Sequence, residues 1–113
     1  MFDRGNVPNP LCKMALEILY SPQFSDSFEA ILNFYDERNG SDTYSKKLFK
    51  MVHEQIRMLA TFPEIGRITD FPSVRILFVE RYGVEYQIRD DVVLIIDIYS
   101  CLTDPSERRF KIR

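Results

Sequence analysis

Hydrophobic and polar positions alternate most clearly in the last third of the chain. Val84, Tyr86 and Ile88 are interleaved with Glu85, Gln87 and Arg89, the period of a strand with one buried face. Just before them, the run from Val74 to Arg81 is rich in β-branched and aromatic residues. Just after them, Val92 to Tyr99 is almost wholly apolar, as a central strand covered on both faces would be. Tyr82-Gly83 and Asp90-Asp91 stand between the runs and are competent to turn. Turns this short join antiparallel neighbours, so the three runs predict a meander.

Upstream the period changes. Lys13 to Tyr20 alternates and predicts a further strand. Ser21-Pro22 is a helix start, with serine as cap and proline at the first helical position. Phe24, Phe28, Ile31, Leu32 and Tyr35 then recur at helical spacing, and Asn39-Gly40 ends that helix. Ser41 or Asp42 can cap a second helix, whose stripe is Tyr44, Leu48, Met51, Val52, Ile56 and Leu59. Phe62-Pro63 stops it, because a residue before proline avoids helical geometry. The order β-α-α-β-β-β predicts an α+β fold: an antiparallel sheet of four strands with an N-terminal helical hairpin packed on one face. The other face would stay open, with apolar residues of Val92 to Ile98 on it. Residues 1–12 read as a loose leader and 13–113 as one domain.

Composition narrows the class. At 113 residues, 45% hydrophobic and 13% aromatic, the chain can bury one substantial core. Its apolar runs are strand-length, which predicts no membrane span, and the N-terminus has no apolar signal core; the expected location is the cytoplasm. Cys12 and Cys101 are then expected to be reduced. One histidine, His53, with no Cys/His cluster gives no zinc site, and nothing implies a cofactor. A net charge of −2 supplies no global attraction to nucleic acid. The arginines are unevenly placed, however: Arg67, Arg75, Arg81 and Arg89 all fall in or near the predicted sheet.

Between the second helix and the sheet stands Phe62-Pro-Glu-Ile-Gly-Arg67. Then follow Val74-Arg75, Tyr82-Gly-Val-Glu-Tyr86-Gln-Ile88, Val93 to Ile98 and Asp104-Pro105. In this order and spacing the segments resemble the RelE/ParE superfamily of bacterial toxins from type II toxin–antitoxin modules, the plasmid stabilisation proteins. The resemblance runs from about Leu19 to Pro105. It implies a twisted antiparallel sheet with two N-terminal helices, in agreement with the periodicity. Each motif residue also has a purely structural use. Pro63 and Gly66 suit a tight turn, Arg67 and Arg75 can bond a loop or a carboxylate as well as a phosphate, and Tyr82 and Tyr86 share a strand face where they can pack in the core. Arg67, Arg75, Arg81, Arg89, Tyr82 and Tyr86 are the candidate phosphate- or partner-binding residues.

The ribosome-dependent nucleases of the superfamily need cations and a general acid or base near the scissile phosphate. Many members carry a His-Gly-Arg-Arg-like segment after the last strand; here that place reads Tyr99-Ser-Cys-Leu-Thr-Asp104. No catalytic residue is therefore assigned. The resemblance implies a growth-inhibiting toxin that acts by protein contact, as ParE members do on DNA gyrase, and is neutralised by a cognate antitoxin. A RelE-like mRNA endonuclease working on the ribosome, or an inactive toxin-derived binding protein, are the alternatives, and a homodimer is left open. The antitoxin is expected across the open sheet face, meeting Arg75, Arg81 and Arg89. The rival there is the tail, Leu102 to Arg113, folding back.

Overall fold

The computed structural model describes residues 16–101. The leader, the start of the first predicted strand at 13–15, Cys12, Asp104-Pro105 and the tail lie outside the described residues. The elements are β1 (Glu17–Tyr20), α1 (Pro22–Asn39), α2 (Thr43–Arg57), a single 3-10 turn (Met58–Ala60), β2 (Arg67–Ile68), β3 (Val74–Val79), β4 (Tyr82–Arg89) and β5 (Val92–Ser100).

Ser21 starts α1 and also anchors it. Its hydroxyl accepts the Phe24 N–H at 3.0 Å and donates to the Ile96 carbonyl at 2.5 Å, while its own N–H bonds Ile95 O at 2.9 Å. One residue thus caps the helix and fixes its end to β5. At the other end Gly40 takes φ 67 and donates to Asp36 O, the left-handed stop that glycine adopts without steric cost. Asp42 holds the N-cap position of α2 but its side chain makes no cap bond; it pairs with Lys46 at 3.2 Å instead. Ser45, not Tyr44, takes the inward position of that turn, and its hydroxyl donates to the Asp36 carboxylate, which ties the two helices at their junction. α2 stops at Arg57, before Phe62-Pro63. The chain tightens into the 3-10 turn there and so buries Leu59 completely.

The sheet has five strands in the order β1-β5-β4-β3-β2. β3, β4 and β5 are antiparallel as the pattern predicts, and β1 adds to β5 in parallel, with Ile18 beside Val93. β5 is therefore central. β2, which local periodicity does not reveal, forms the far strand with Arg67 opposite Ile76. Tyr82-Gly83 is not a turn. Both residues begin β4, and the turn is Glu80-Arg81, with Glu80 at φ 55. The glycine serves close approach, since a Cβ on Gly83 would stand 2.8 Å from the Tyr99 ring. A bulge lies in β5: Glu85 pairs Asp97 and Tyr86 pairs Ile95, which leaves Ile96 as the extra residue. Ile95 and Ile98 both reach the core because of it.

The core joins Phe24, Phe28, Leu48, Val52, Ile56 and Leu59 of the helical layer to Leu77, Val79, Val84, Val93, Ile95 and Ile98 of the sheet. The far face is covered over the first part of β3, though Phe78 at its end is 40% exposed. Val74 and Ile76, which alternate away from the helices, are fully buried, as is Thr69, whose hydroxyl turns the 69–73 loop back onto Val74 O at 2.9 Å. Phe28 lies at the centre of the helical layer, 3% exposed. Phe28→Ala is expected to cost about 3–5 kcal/mol in urea denaturation, the range for a deleted buried phenylalanine. A loss below about 1 kcal/mol would show a site that collapses or opens to solvent.

Candidate functional site

The six candidate residues do not gather at one place. Tyr86 and Arg75 lie opposite each other in register and act together on the Pro63–Gly66 loop. The Tyr86 hydroxyl donates to Pro63 O at 2.7 Å and accepts the Gly66 N–H at 2.9 Å. Arg75 Nη1 donates to Gly66 O at 2.9 Å and to Glu64 O at 3.1 Å. Four backbone groups of one short loop are thereby satisfied by two side chains. Only glycine fits at position 66, where a Cβ would meet the Tyr86 hydroxyl at 2.5 Å and Ile76 O at 2.9 Å. Burial raises the Tyr86 phenol above its ordinary value, partly opposed by the Gly66 N–H and the Arg75 charge.

Tyr82 is four residues away on the same face and equally interior. Its hydroxyl donates to that of Tyr35 on α1 at 2.8 Å, and Tyr35 in turn meets Tyr44 edge-on at 4.7 Å. Burial, then the Tyr35 bond, pushes this phenol well above its usual range. The remaining arginines do not converge. Arg67 projects, exposed, from β2; Arg81 sits in the β3–β4 turn; Arg89 ends β4 and bonds Gln87 at 3.0 Å. The length of β4 separates Arg81 from Arg89, about 26 Å at the usual rise.

A second feature escaped the sequence reading. Between the helices runs a groove of about 720 Å³, lined by Phe24, Phe28 and Leu32 of α1, Phe49 and His53 of α2, and Tyr20 at the end of β1. Phe28 and Phe49 stack at 5.8 Å with their planes 3° apart, and Phe49 meets the His53 ring at 4.2 Å. His53 Nδ1 lies 3.0 Å from Phe49 O. A carbonyl only accepts, so Nδ1 is the donor in this contact. At the helix junction stand Asp36 and Asp42 with Lys46, and Glu29 lines the groove two turns back along α1. The available signal was the i, i+4 pair Phe49 and His53 beside the apolar stripe of α2, with Phe49 still 48% exposed. Among the described residues no group of three His, Cys, Asp or Glu side chains is placed to hold a metal, and no helix is long and apolar enough to cross a membrane.

The family described as the ParE toxin of the type II toxin–antitoxin system parDE matches residues 18–105. The chain belongs to this family of toxins. Its fold is similar to a chain of the chromosomal ParDE toxin–antitoxin system from P. aeruginosa, with TM-score 0.68 and 19% identity over 77% of this chain and 97% of that one. YafQ from E. coli strain BL21(DE3) aligns over 79% of this chain and 99% of its own, at 17% identity and TM-score 0.43. No curated protein sequence matches the chain.

Both raised phenols have a consequence in alkali. A phenol whose folded pKa exceeds its unfolded value adds stability that is complete below about pH 10 and fades as pH climbs toward the folded value. Denaturation midpoints are expected to hold to about pH 10 and fall beyond it. Tyr86→Phe is expected to shallow that fall and to cost about 1–3 kcal/mol at neutral pH, because Gly66 N–H and Pro63 O lose a buried partner. An unchanged midpoint at pH 7 in the variant would show that water replaces the hydroxyl at no cost.

Proposed function

We propose that this ParE-family toxin arrests growth by protein contact, not by RNA cleavage, and that its antitoxin is held in the groove between α1 and α2. The groove carries the reading. It is apolar along its floor, has the length of several helical turns, and is bordered by the polar ring of His53, the features of a helix-in-groove contact. Three carboxylates against one ammonium along its lining favour basic residues on the incoming helix.

The residues that a phosphate site would use argue the same way. Arg75 spends its Nη1 on two carbonyls, and Tyr82 and Tyr86 are buried phenols held neutral by their surroundings. Arg67, Arg81 and Arg89 are spread over the sheet and cannot surround one phosphate. An antitoxin across the sheet face would find Arg75 already holding the loop through Nη1, and Arg81 and Arg89 a strand's length apart, so the groove is the better seat.

The test is co-expression with the antitoxin encoded beside the gene, followed by a binding titration. Phe49→Asp, at a half-exposed position, is expected to leave the chain folded and to weaken the complex more than tenfold, about 1.4 kcal/mol or more. Purified ribosomes are expected to leave mRNA uncut. Cleavage at wild-type levels would favour the nuclease, and an unaltered affinity in the folded variant would empty the groove of this role.

A further inference from the structure

The sheet face turned away from the helices carries a buried acidic row. Arg67, Ile76, Glu85 and Asp97 lie opposite one another in register across β2, β3, β4 and β5, so their side chains share that face. Ile76 is fully buried and Glu85 is 3% exposed. The Tyr99 hydroxyl, against Gly83 on the same side, is buried too. Both helices pack on the other face, and the 69–73 loop folds onto Val74, two residues short of Ile76. A carboxylate as deep as Glu85 needs a cation or several donors around it. Directly opposite stands a second carboxylate, Asp97, and like charges so placed raise the demand for a cation over the pair. Arg67 closes the row at the far strand, but it is exposed and two strand spacings from Glu85, about 10 Å.

The chain carries the complement in its own last residues. β5 ends at Ser100, about 10 Å along the strand from Asp97. There the Cys101 N–H donates to Arg81 O at 2.7 Å, which fixes the exit beside the β3–β4 turn. Residues 102–113 follow, enough to span about 40 Å when extended, with Asp104-Pro105 competent to turn the chain back. Residues 108–113 read Arg-Arg-Phe-Lys-Ile-Arg, cations with two apolar side chains among them. In an extended segment Arg108, Phe110 and Ile112 alternate to one side. That side would bring one cation and two apolar groups to a face of two carboxylates, Ile76 and the half-exposed Phe78. Residues 1–15 match less well. Their cations are Arg4 and Lys13, and they enter the sheet at Glu17 beside Val92, the opposite end of β5.

We infer that residues 106–113 fold back over the far face of the sheet, with Arg108 set against Glu85 and Asp97, and with Phe110 and Ile112 laid on its apolar part. The family match ends at residue 105, so this cover is made by chain outside it. The face is then closed by the protein's own end and offers no seat to a partner strand. The inference stands independently of the groove reading.

The experiment uses the purified full-length chain. Arg108→Gln combined with Arg109→Gln is expected to lower the urea midpoint by about 0.5 M or more. In a Glu85→Gln background the same two changes are expected to shift it less than half as much, because the carboxylate they serve is gone. Equal shifts in the two backgrounds, or no shift in either, overturn the inference. A second measurement holds even where Glu85→Gln fails to fold. A nitroxide label on Lys111→Cys, with Cys12→Ser and Cys101→Ser, is expected to broaden the amide resonances of Ile76 and Glu85 more than those of Phe49 and His53. Stronger broadening at Phe49 and His53 would seat the segment in the groove and overturn the inference, as would broadening at neither place. Broadening that arises only between labelled and unlabelled molecules in a mixture would give the face to a second copy of the chain and overturn it likewise.

Discussion

Every layer of this molecule meets β5. Its backbone is bonded on both sides, to β1 in parallel and to β4 antiparallel, and its carbonyls at Ile95 and Ile96 take the N–H and hydroxyl of Ser21 where α1 begins. A strand so placed can keep few polar side chains, because water reaches neither edge. That is why Val92 to Tyr99 reads as an apolar run interrupted only at Asp97. The bulge at Ile96 follows from the same demand. It shifts the alternation by one, so that Ile95 and Ile98 both face the helices while Asp97 stays opposite Glu85.

Residues that look chemical in the sequence serve the fold because of where β3 and β4 put them. A guanidinium or a phenol under a helical layer must find partners or forfeit its hydration. Arg75 and Tyr86 find them in the backbone of the Pro63–Gly66 loop, and Tyr82 finds Tyr35. The arrangement is reciprocal, since the loop is too short to satisfy its own carbonyls and has no strand to pair with until Arg67. The same bonds that make these side chains tolerable in the interior make the loop stiff.

The legibility of the fold tracks how local each cause is. Both helices, the Ser21 cap, the Gly40 stop and three strands announce themselves through spacing within a dozen residues. β2 does not, because two residues carry no period and Arg67 is placed by Arg75 and Tyr86 acting from other strands. Gly83 was legible as a special position but not as the right one: a turn and a close approach to Tyr99 both call for glycine. The spacing of Tyr82 and Tyr86 placed them on one face, whereas their partners, Tyr35 and Pro63, depend on the tertiary fold. The groove was hidden for a related reason. Phe24 and Phe28 fit a core stripe, and only the neighbouring helix shows that Phe49 and Tyr20 leave a channel beside them.

A net charge of −2 conceals an uneven distribution, with Glu29, Asp36 and Asp42 against Lys46 along the groove. Apolar area alone would let the groove take any apolar helix, since burial is indifferent to identity. Charge supplies discrimination: carboxylates along the groove would favour a basic helix over an acidic one. The groove and the Pro63–Gly66 loop also differ in stiffness. The groove walls are side chains on two helices joined at Ser45 and Asp36 and able to adjust their rotamers, while the loop is pinned through its backbone. A surface built from adjustable aromatic side chains tolerates a partner that folds as it binds. One held by four bonds to its backbone keeps its shape whatever lies against it, because Tyr86 and Arg75 act on it from within the sheet.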